Sequence, residues 1–287
     1  MSVSEAPTYN MQLDKSLVEN APKGSVQEGK MLATTVCIQC HYNPEKGTLS
    51  GRMHGNPERL GDFYSSNITK DSISGIGSWT VDEIYILLRT GIKKDGTLAF
   101  DMPKYPLLSE ADIQSLISFL RSDDPLVAPT INIIDKPNYS FLTKVLLKFV
   151  LKPEELNRNR IPEPDTTDLV SYGMYLSTAK YSCFDCHSKN SVFNDYSNPE
   201  NSLGFFQGGN RHANEEREII YSSNLTPSAS GIGNYSFEEF YNCLVFGVKK
   251  DNSPVRNPMF PFSQLSKLEV KAIYAYLMQL EPYDNKY

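Results

Sequence analysis

The strongest constraint on this chain is a five-residue motif, Cys-x-x-Cys-His, that occurs twice. It spans residues 37–41 (CIQCH) and residues 183–187 (CFDCH), and a fifth cysteine, Cys243, stands alone. Two thiols three positions apart near a helical turn lie on one side of the backbone. This spacing matches the spread of the two vinyl groups of a porphyrin, and the next residue supplies an imidazole for the iron.

A bare Cys-x-x-Cys pair is compatible with redox, zinc-binding or disulfide chemistry, but a histidine directly after each pair is typical of covalent haem attachment. The two pairs of a zinc ribbon commonly lie about 15–20 residues apart, whereas these begin at positions 37 and 183. A protein without haem, holding zinc or disulfides, remains the alternative. The sequence predicts two covalently bound haem c groups, with thioethers to Cys37, Cys40, Cys183 and Cys186 and proximal iron ligands from His41 and His187.

The chain also contains a long internal repeat. Residues 64–96 match residues 221–252 almost position for position, and the likeness continues through a methionine loop into a final helix. Each half therefore predicts a helix, the haem motif, a long loop, a helix, the methionine loop and a helix. We expect an all-α fold with two tandem cytochrome c domains, 20–124 and 168–287, joined by a proline-rich linker at 125–167.

Helix boundaries are marked by capping signals in both halves. Thr80 to Glu83 and Ser236 to Glu239 have the hydroxyl and carboxylate spacing of a capping box, and Gly91 and Gly247 stand where the same helices should end. The final helices begin in the same way, at Ser109 to Asp112 and at Ser266 to Glu269.

Two further features concern packing and the linker. Gly29 and Gly173 precede the two motifs at matching places and would allow close contact with another helix. Within the linker, residues 139–152 (YSFLTKVLLKFVLK) form an amphipathic helical pattern. We expect this helix to pack between the domains, and a membrane-surface or partner role is the alternative.

The second axial ligand of each iron must come from elsewhere in the chain. Met102 and Met259 lie at equivalent positions of the repeat, each beside proline. A thioether is a soft ligand that favours ferrous iron, so His/Met ligation raises the reduction potential. The alternative is a bis-His iron that uses His54 and His212, which are also near-equivalent.

Composition narrows the function and the compartment. A net charge of −6 argues against a nucleic-acid binder. The chain contains no apolar run long enough to span a bilayer, and residues 1–16 show no export signal. Because thioethers are normally formed outside the bacterial cytoplasm, we expect a periplasmic or extracytoplasmic protein whose signal has been removed. Membrane association through a lipid anchor or a partner is compatible with this location.

With these residues, the chain resembles two-domain dihaem cytochromes c of the bacterial class I type. It is most similar to the cytochrome subunits of alcohol and sugar-acid dehydrogenases. The resemblance rests on the two haem motifs, on the SSNIT…GIGSWTVDEI and SSNLT…GIGNYSFEEF segments, and on the DMPKYPLLSEAD and NPMFPFSQLSKLE loops. It departs from that group by showing neither a third haem domain nor a C-terminal anchor.

The resemblance implies an all-α cytochrome c fold, haem c, export and electron transfer, with distal ligation by Met102 and Met259. We expect an electron carrier rather than an enzyme, with a dehydrogenase, an oxidase or another cytochrome as its redox partner. The alternative is a haem enzyme of the peroxidase or thiosulfate dehydrogenase type, which needs one exchangeable ligand position.

Overall fold

The principal helices begin and end at the residues that the capping signals predict. The side chain of Thr80 accepts from the N–H of Glu83 at 3.1 Å, and the Glu83 carboxylate accepts from the N–H of Thr80 at 2.7 Å. Ser236 and Ser266 form the same reciprocal boxes. The helices that follow Thr80 and Ser236 both end at a glycine in the left-handed region, with φ of 80° at Gly91 and 69° at Gly247. At Ser109 the hydroxyl caps its helix without the return bond.

The computed structural model describes residues 7–10, 18, 21–55, 61–135, 137–157, 159–213 and 218–285. Two compact units cover the chain, Met1–Glu163 and Pro164–Tyr287. In the first unit the described elements are α1 (Val26–Leu32), a π-helical turn (Ala33–Cys37), α2 (Ile38–His41), β1 (Met53–Gly55), β2 (Gly61–Tyr64), α3 (Val81–Thr90), α4 (Glu110–Leu120), a 3₁₀ turn (Pro125–Val127), β3 (Asn138–Tyr139) and α5 (Phe141–Phe149).

The second unit repeats the order of helix, π-helical turn, motif helix, two strands and two helices. Its described elements are α6 (Leu169–Tyr175), a π-helical turn (Leu176–Lys180), α7 (Cys183–His187), 3₁₀ turns (Ser191–Phe193 and Pro199–Asn201), β4 (Arg211–Ala213), β5 (Ile219–Tyr221), α8 (Phe237–Phe246) and α9 (Lys267–Leu277). Within the described residues, no helix is both long and apolar enough to cross a membrane.

The fold is mostly helical, as expected, but it also contains short strands that the all-α prediction did not include. In the first unit β1, β2 and β3 form an antiparallel sheet, and in the second β4 pairs with β5. Strand β3 belongs to the predicted linker, and its Tyr139 pairs with Gly61 of β2. Residues 125–163 therefore fold as part of the first unit.

In each unit the helix that precedes the motif crosses the final helix of the repeat at a glycine: α1 crosses α4, and α6 crosses α9. A Cβ built on Gly29 of α1 would lie 1.9 Å from the carbonyl oxygen of Ser115 in α4. A Cβ on Gly173 of α6 would lie 1.9 Å from the carbonyl oxygen of Ala272 in α9. Because only glycine leaves room for this contact, the predicted role of the two glycines is confirmed.

The first unit has a buried ion pair in its core. Arg89 Nη2 lies 3.1 Å from the carboxylate of Glu110, and their side chains are 3% and 4% exposed. Tyr85 donates to the same carboxylate at 3.0 Å, and burial raises the pKa of the Tyr85 hydroxyl and keeps it a donor. The other Arg89 nitrogen, Nη1, donates to the backbone carbonyls of Tyr105, Pro106 and Leu108.

The second unit has an aromatic core at the corresponding place. Val245 and Lys267 occupy the repeat positions of Arg89 and Glu110. Lys267 is exposed, pairs with Glu238 at 2.9 Å and lies 5.6 Å from the ring centre of Tyr241. The buried cluster of this unit instead contains four phenylalanines: Phe184, Phe206, Phe240 and Phe262.

We expect Gly173→Ala to destabilise the protein by about 3 kcal/mol, because the new methyl group meets backbone that cannot move aside. Gly47→Ala is the control, since Gly47 has a positive φ of 66° but open space around its Cβ position. That change should cost only about 1–2 kcal/mol, the penalty of left-handed backbone alone. Urea unfolding followed by circular dichroism measures both values, and equal costs would contradict the close crossing.

We expect Glu110→Gln to destabilise the protein by about 3–5 kcal/mol, because the buried Arg89 cation loses its partner. The matched control is Glu238→Gln in the second unit, where both side chains of the pair are about two-thirds exposed. Exposed ion pairs contribute about 1 kcal/mol or less. Urea unfolding of the two variants should separate them clearly, and similar midpoints would disprove the structural importance of the buried pair.

Candidate functional site

Both Cys-x-x-Cys-His motifs lie on a short helical turn that follows a π-helical turn. In the first unit α1, the π-helical turn and α2 are continuous, so Cys37 ends the wider turn and His41 ends α2. In the second unit Ser182 adopts left-handed backbone, with φ of 48°, and α7 begins afresh at Cys183. Single π-helical turns are frequent at functional sites.

The imidazole of each motif is held by a backbone carbonyl from far along the chain. His41 Nδ1 lies 2.7 Å from the carbonyl oxygen of Ser66, and His187 Nδ1 lies 2.7 Å from that of Ser223. A carbonyl can only accept, so Nδ1 carries the proton and Nε2 keeps the lone pair. A hydrogen bond of this kind orients a histidine ligand toward a metal.

The pKa of His187 supports the same protonation state. Burial lowers this pKa, the hydrogen bond to Ser223 opposes the change, and nearby His212 lowers it further. The ring is therefore neutral at neutral pH, as an iron ligand must be.

The loop that follows each motif is tied back to it by equivalent hydrogen bonds. The N–H of Gly51 donates to the His41 carbonyl at 2.8 Å, and the N–H of Gly208 donates to the His187 carbonyl at 2.7 Å. In the first unit the Ser65 hydroxyl also donates to the Cys40 carbonyl at 2.6 Å.

In the second unit His212 contacts the backbone of the second motif cysteine, as Ser65 does in the first unit. Its ring hydrogen-bonds the backbone of Cys186, and its Nε2 is buried without a partner. This contact places His212 beside the motif. The side chain of His54, its counterpart in the bis-His alternative, lies outside the described residues.

Three of the four motif thiols, those of Cys37, Cys40 and Cys183, lie in surroundings of low polarity, whereas Cys186 is exposed. All five cysteines are among the described residues, and none of them forms a disulfide bond. Burial raises the pKa of Cys37 and of Cys183 to about 12, so these groups are neutral thiols at neutral pH. Burial also raises the pKa of Cys40; the carboxylate of Asp101 adds to that shift and Arg52 opposes it.

The zinc and disulfide alternatives gain no support from these surroundings. Among the described residues, no three His, Cys, Asp or Glu side chains are arranged to hold a metal ion. Neutral, poorly hydrated thiols beside a carbonyl-oriented imidazole fit a porphyrin that is attached by thioethers. The chemistry of the donor set therefore fits haem c.

The two methionine loops are attached to the middle helices in the same way. Tyr105 donates to the Leu88 carbonyl of α3 at 2.8 Å, and Phe262 donates to the Leu244 carbonyl of α8 at 2.8 Å. Met259 packs against the same buried cluster as Cys183. In the first unit, Asp101, next to Met102, lies close enough to Cys40 to raise its pKa. Iron ligation by either methionine stays a prediction.

Sequence reasoning missed the two serines whose carbonyls hold the imidazoles. A backbone carbonyl has no side-chain signature, so Ser66 and Ser223 could not be identified by residue type. Their only signal was the repeat, because both stand in a Tyr-Ser-Ser-Asn segment that follows each motif.

Residues 26–123 match the protein family described as cytochrome c. Over 276 residues the chain is 26% identical to a subunit of nicotinate dehydrogenase from Pseudomonas putida, covering 89% of this chain and 21% of that protein. It is 25% identical to the fructose dehydrogenase cytochrome subunit of Gluconobacter japonicus, covering 90% and 53%. It is 26% identical to the cytochrome c subunit of the quinone alcohol dehydrogenase of Gluconacetobacter polyoxogenes, covering 92% and 57%.

The chain thus spans about half the length of the fructose and alcohol dehydrogenase relatives and about a fifth of the nicotinate dehydrogenase relative. A cytochrome c domain implies covalently bound haem c, which agrees with the donor set described above. Residues 26–123 thus match the cytochrome c family, and the chain is similar over about nine-tenths of its length to the cytochrome subunits of bacterial alcohol and fructose dehydrogenases.

Proposed function

We propose that this chain is a dihaem electron carrier with one haem c in each unit. The observation that carries the proposal is the repeated histidine contact: in both units the motif imidazole bonds a serine carbonyl at 2.7 Å. Covalently bound haem c supplies one-electron chemistry at its iron. The residues of the chain hold that iron, set its potential and control what reaches it.

Two observations support a haem in the second unit as well as in the first. The second motif repeats the hydrogen-bond pattern of the first, including the bond from Gly208 to His187. The similarity to the dehydrogenase subunits also extends over 89–92% of the chain, and so includes both halves of the repeat. A structural remnant of a lost site would have no reason to keep its imidazole oriented.

In this proposal His41 with Met102, and His187 with Met259, would hold the two irons. His41 and His187 offer Nε2 because their Nδ1 protons are held by carbonyls. Met102 and Met259 would offer thioether sulfur from loops that are bonded to α3 and α8. His212 contacts the backbone of Cys186 within the motif itself, so we assign the second ligand to the methionines rather than to this histidine.

His/Met ligation suits a carrier that works at relatively high potential, since sulfur stabilises ferrous iron. Ligands that stay bound in both oxidation states keep the reorganisation small. With both axial positions filled by the chain, neither iron would be open to a small substrate, which favours electron transfer over the haem-enzyme alternative.

The partners proposed for the carrier are redox proteins. Electrons would be received from a dehydrogenase, as in the complexes for which the relatives are named, and delivered to an oxidase or another cytochrome. We place the protein in the periplasm or on the extracytoplasmic surface, because thioether attachment is normally carried out there.

We expect the purified holo-protein to contain two haem groups per chain. Replacing both cysteines of one motif by alanine should leave one, because the motifs lie in separate units: Cys37→Ala with Cys40→Ala, and Cys183→Ala with Cys186→Ala. Intact-mass spectrometry and the pyridine haemochrome spectrum count the groups. Cys243→Ala is the control and should retain two; a single haem in the wild type would disprove the proposal for one unit.

We expect Met102→Ala and Met259→Ala each to lower the reduction potential of one haem by a clear fraction of the ~0.8 V range that axial ligands set. Each variant should also gain a site that binds cyanide. Met31→Ala and Met174→Ala are the controls, because these methionines lie on α1 and α6 and are 38% and 49% exposed. Redox titration of all four variants is the measurement.

Loss of methionine ligation should also appear in the ferric absorption and magnetic circular dichroism spectra. If neither spectrum changes in Met259→Ala but His212→Gln alters both, the second haem is bis-His instead. If wild-type protein already binds cyanide at low concentration at one iron, the haem-enzyme alternative is correct for that unit.

A further inference from the structure

Helix α5, Phe141–Phe149, turns large apolar side chains toward solvent. Phe141 is 73% exposed and Phe149 is 61% exposed, while Thr143 and Leu147 are buried against the first unit. Leu142 and Val150 are also about half exposed. The long helices α3 and α4 of this unit bury their apolar faces, so the exposure needs a separate explanation.

The apolar groups of the helix share one side. At 100° per residue, the exposed Phe141, Phe149 and Leu142 fall within an arc of about 100°, and the half-buried Val145 and Leu146 bring the apolar arc to about 140°. Thr143 and Leu147, the two buried residues, lie on the opposite side. The helix therefore rests on the protein along one edge and presents a continuous apolar face outward.

Charge distinguishes this segment from the rest of the chain. Residues 141–152 contain three lysines and no acidic residue, whereas the whole chain has a net charge of −6. Lys144 and Lys148 lie one turn apart, at the border between the apolar face and the buried edge. An apolar face bordered by cations on an otherwise acidic protein is complementary to a surface that is both apolar and negatively charged.

We propose that α5 docks the protein on the surface of an anionic lipid bilayer. The helix lies parallel to the membrane, with its phenylalanines in the boundary between headgroups and acyl chains and its lysines at the level of the phosphates. Nine residues rise only about 13 Å, far less than the hydrocarbon thickness, so the helix lies on the membrane and does not span it.

A bilayer explains the observations better than a protein groove does. A groove would select a few side chains at a helical spacing, but here large apolar groups are exposed at both ends of the helix, Phe141 and Leu142 at one and Phe149 and Val150 at the other. The three lysines would need acidic groups along the entire helix, which an anionic lipid surface provides without a specific fit.

Docking would hold the carrier beside membrane-bound redox partners. The inference is independent of the haem proposal, because α5 contains no candidate iron ligand. Changes in α5 should leave the haem count and the absorption spectrum unchanged, so that failure of one proposal does not imply failure of the other.

The test is co-sedimentation of the holo-protein with vesicles of phosphatidylcholine and phosphatidylglycerol. Wild-type protein should sediment with these vesicles and remain in solution without them. Phe141→Gln with Phe149→Gln should reduce the partition coefficient by roughly a hundredfold, because two large apolar groups no longer enter the boundary. The control, Ile73→Gln with Leu203→Gln, alters two residues that are 79% and 67% exposed elsewhere and should bind like the wild type.

The contribution of charge is tested separately. Replacing Lys144, Lys148 and Lys152 by glutamine should weaken binding by about a hundredfold, at ~1 kcal/mol per lysine. The same substitution at Lys23, Lys249 and Lys271 should have little effect. High salt and vesicles of phosphatidylcholine alone should also weaken wild-type binding.

Three outcomes would overturn the proposal. Wild-type protein that stays in solution with anionic vesicles has no membrane-docking helix. Phenylalanine variants that bind as well as the wild type place the contact elsewhere. Self-association of the wild type without vesicles, abolished by the phenylalanine changes, assigns the apolar face to a protein contact instead. Circular dichroism and the haem spectrum of each variant confirm that it is folded.

Discussion

The hydrogen bond between a histidine ring and a distant carbonyl sets the conformation of each unit. The carbonyl belongs to Ser66, 25 residues after His41, and to Ser223, 36 residues after His187. The chain between them must leave the motif, turn and return to it. The segment between the histidine and the serine is longer in the second unit. In both units, however, a glycine N–H in this segment donates to the backbone carbonyl of the motif histidine. Orientation of one imidazole thus determines the path of the loop.

The repeat preserves this geometry while the supporting cores differ in chemistry. The first unit places the Arg89–Glu110 ion pair and Tyr85 between α3 and α4. The second unit has Val245 at the position of Arg89 and a cluster rich in phenylalanine. Removing one partner of a buried ion pair leaves an uncompensated charge and destabilises the protein strongly. An apolar cluster, in contrast, tolerates substitutions that conserve side-chain volume. The two units should therefore respond to core substitutions by different mechanisms even though their helices follow the same order.

Local signals predicted local structure well, and non-local pairing was not predicted. Capping at Thr80, Ser236 and Ser266 depends on residues three apart, and those helices begin as expected. The prolines of 125–167 suggested a separate linker, yet Tyr139 pairs with Gly61 in a strand. Two-residue strands have no periodicity to detect, and a carbonyl partner such as that of Ser66 leaves no trace in residue type.

The two sites keep the same candidate ligands but differ in nearby charge. Asp101 and Arg52 both act on the Cys40 thiol, and the effect of the carboxylate is the larger. In the second unit Pro258 precedes Met259, and Asn210 makes the backbone bond to Ser222 that Arg52 makes to Ser65. Pro258 and Asn210 thus stand where the first unit has Asp101 and Arg52, and neither of them carries a charge. The reduction potential of a haem iron depends on nearby charge as well as on the iron ligands. In the proposed dihaem carrier, two irons with identical ligands would therefore differ in potential.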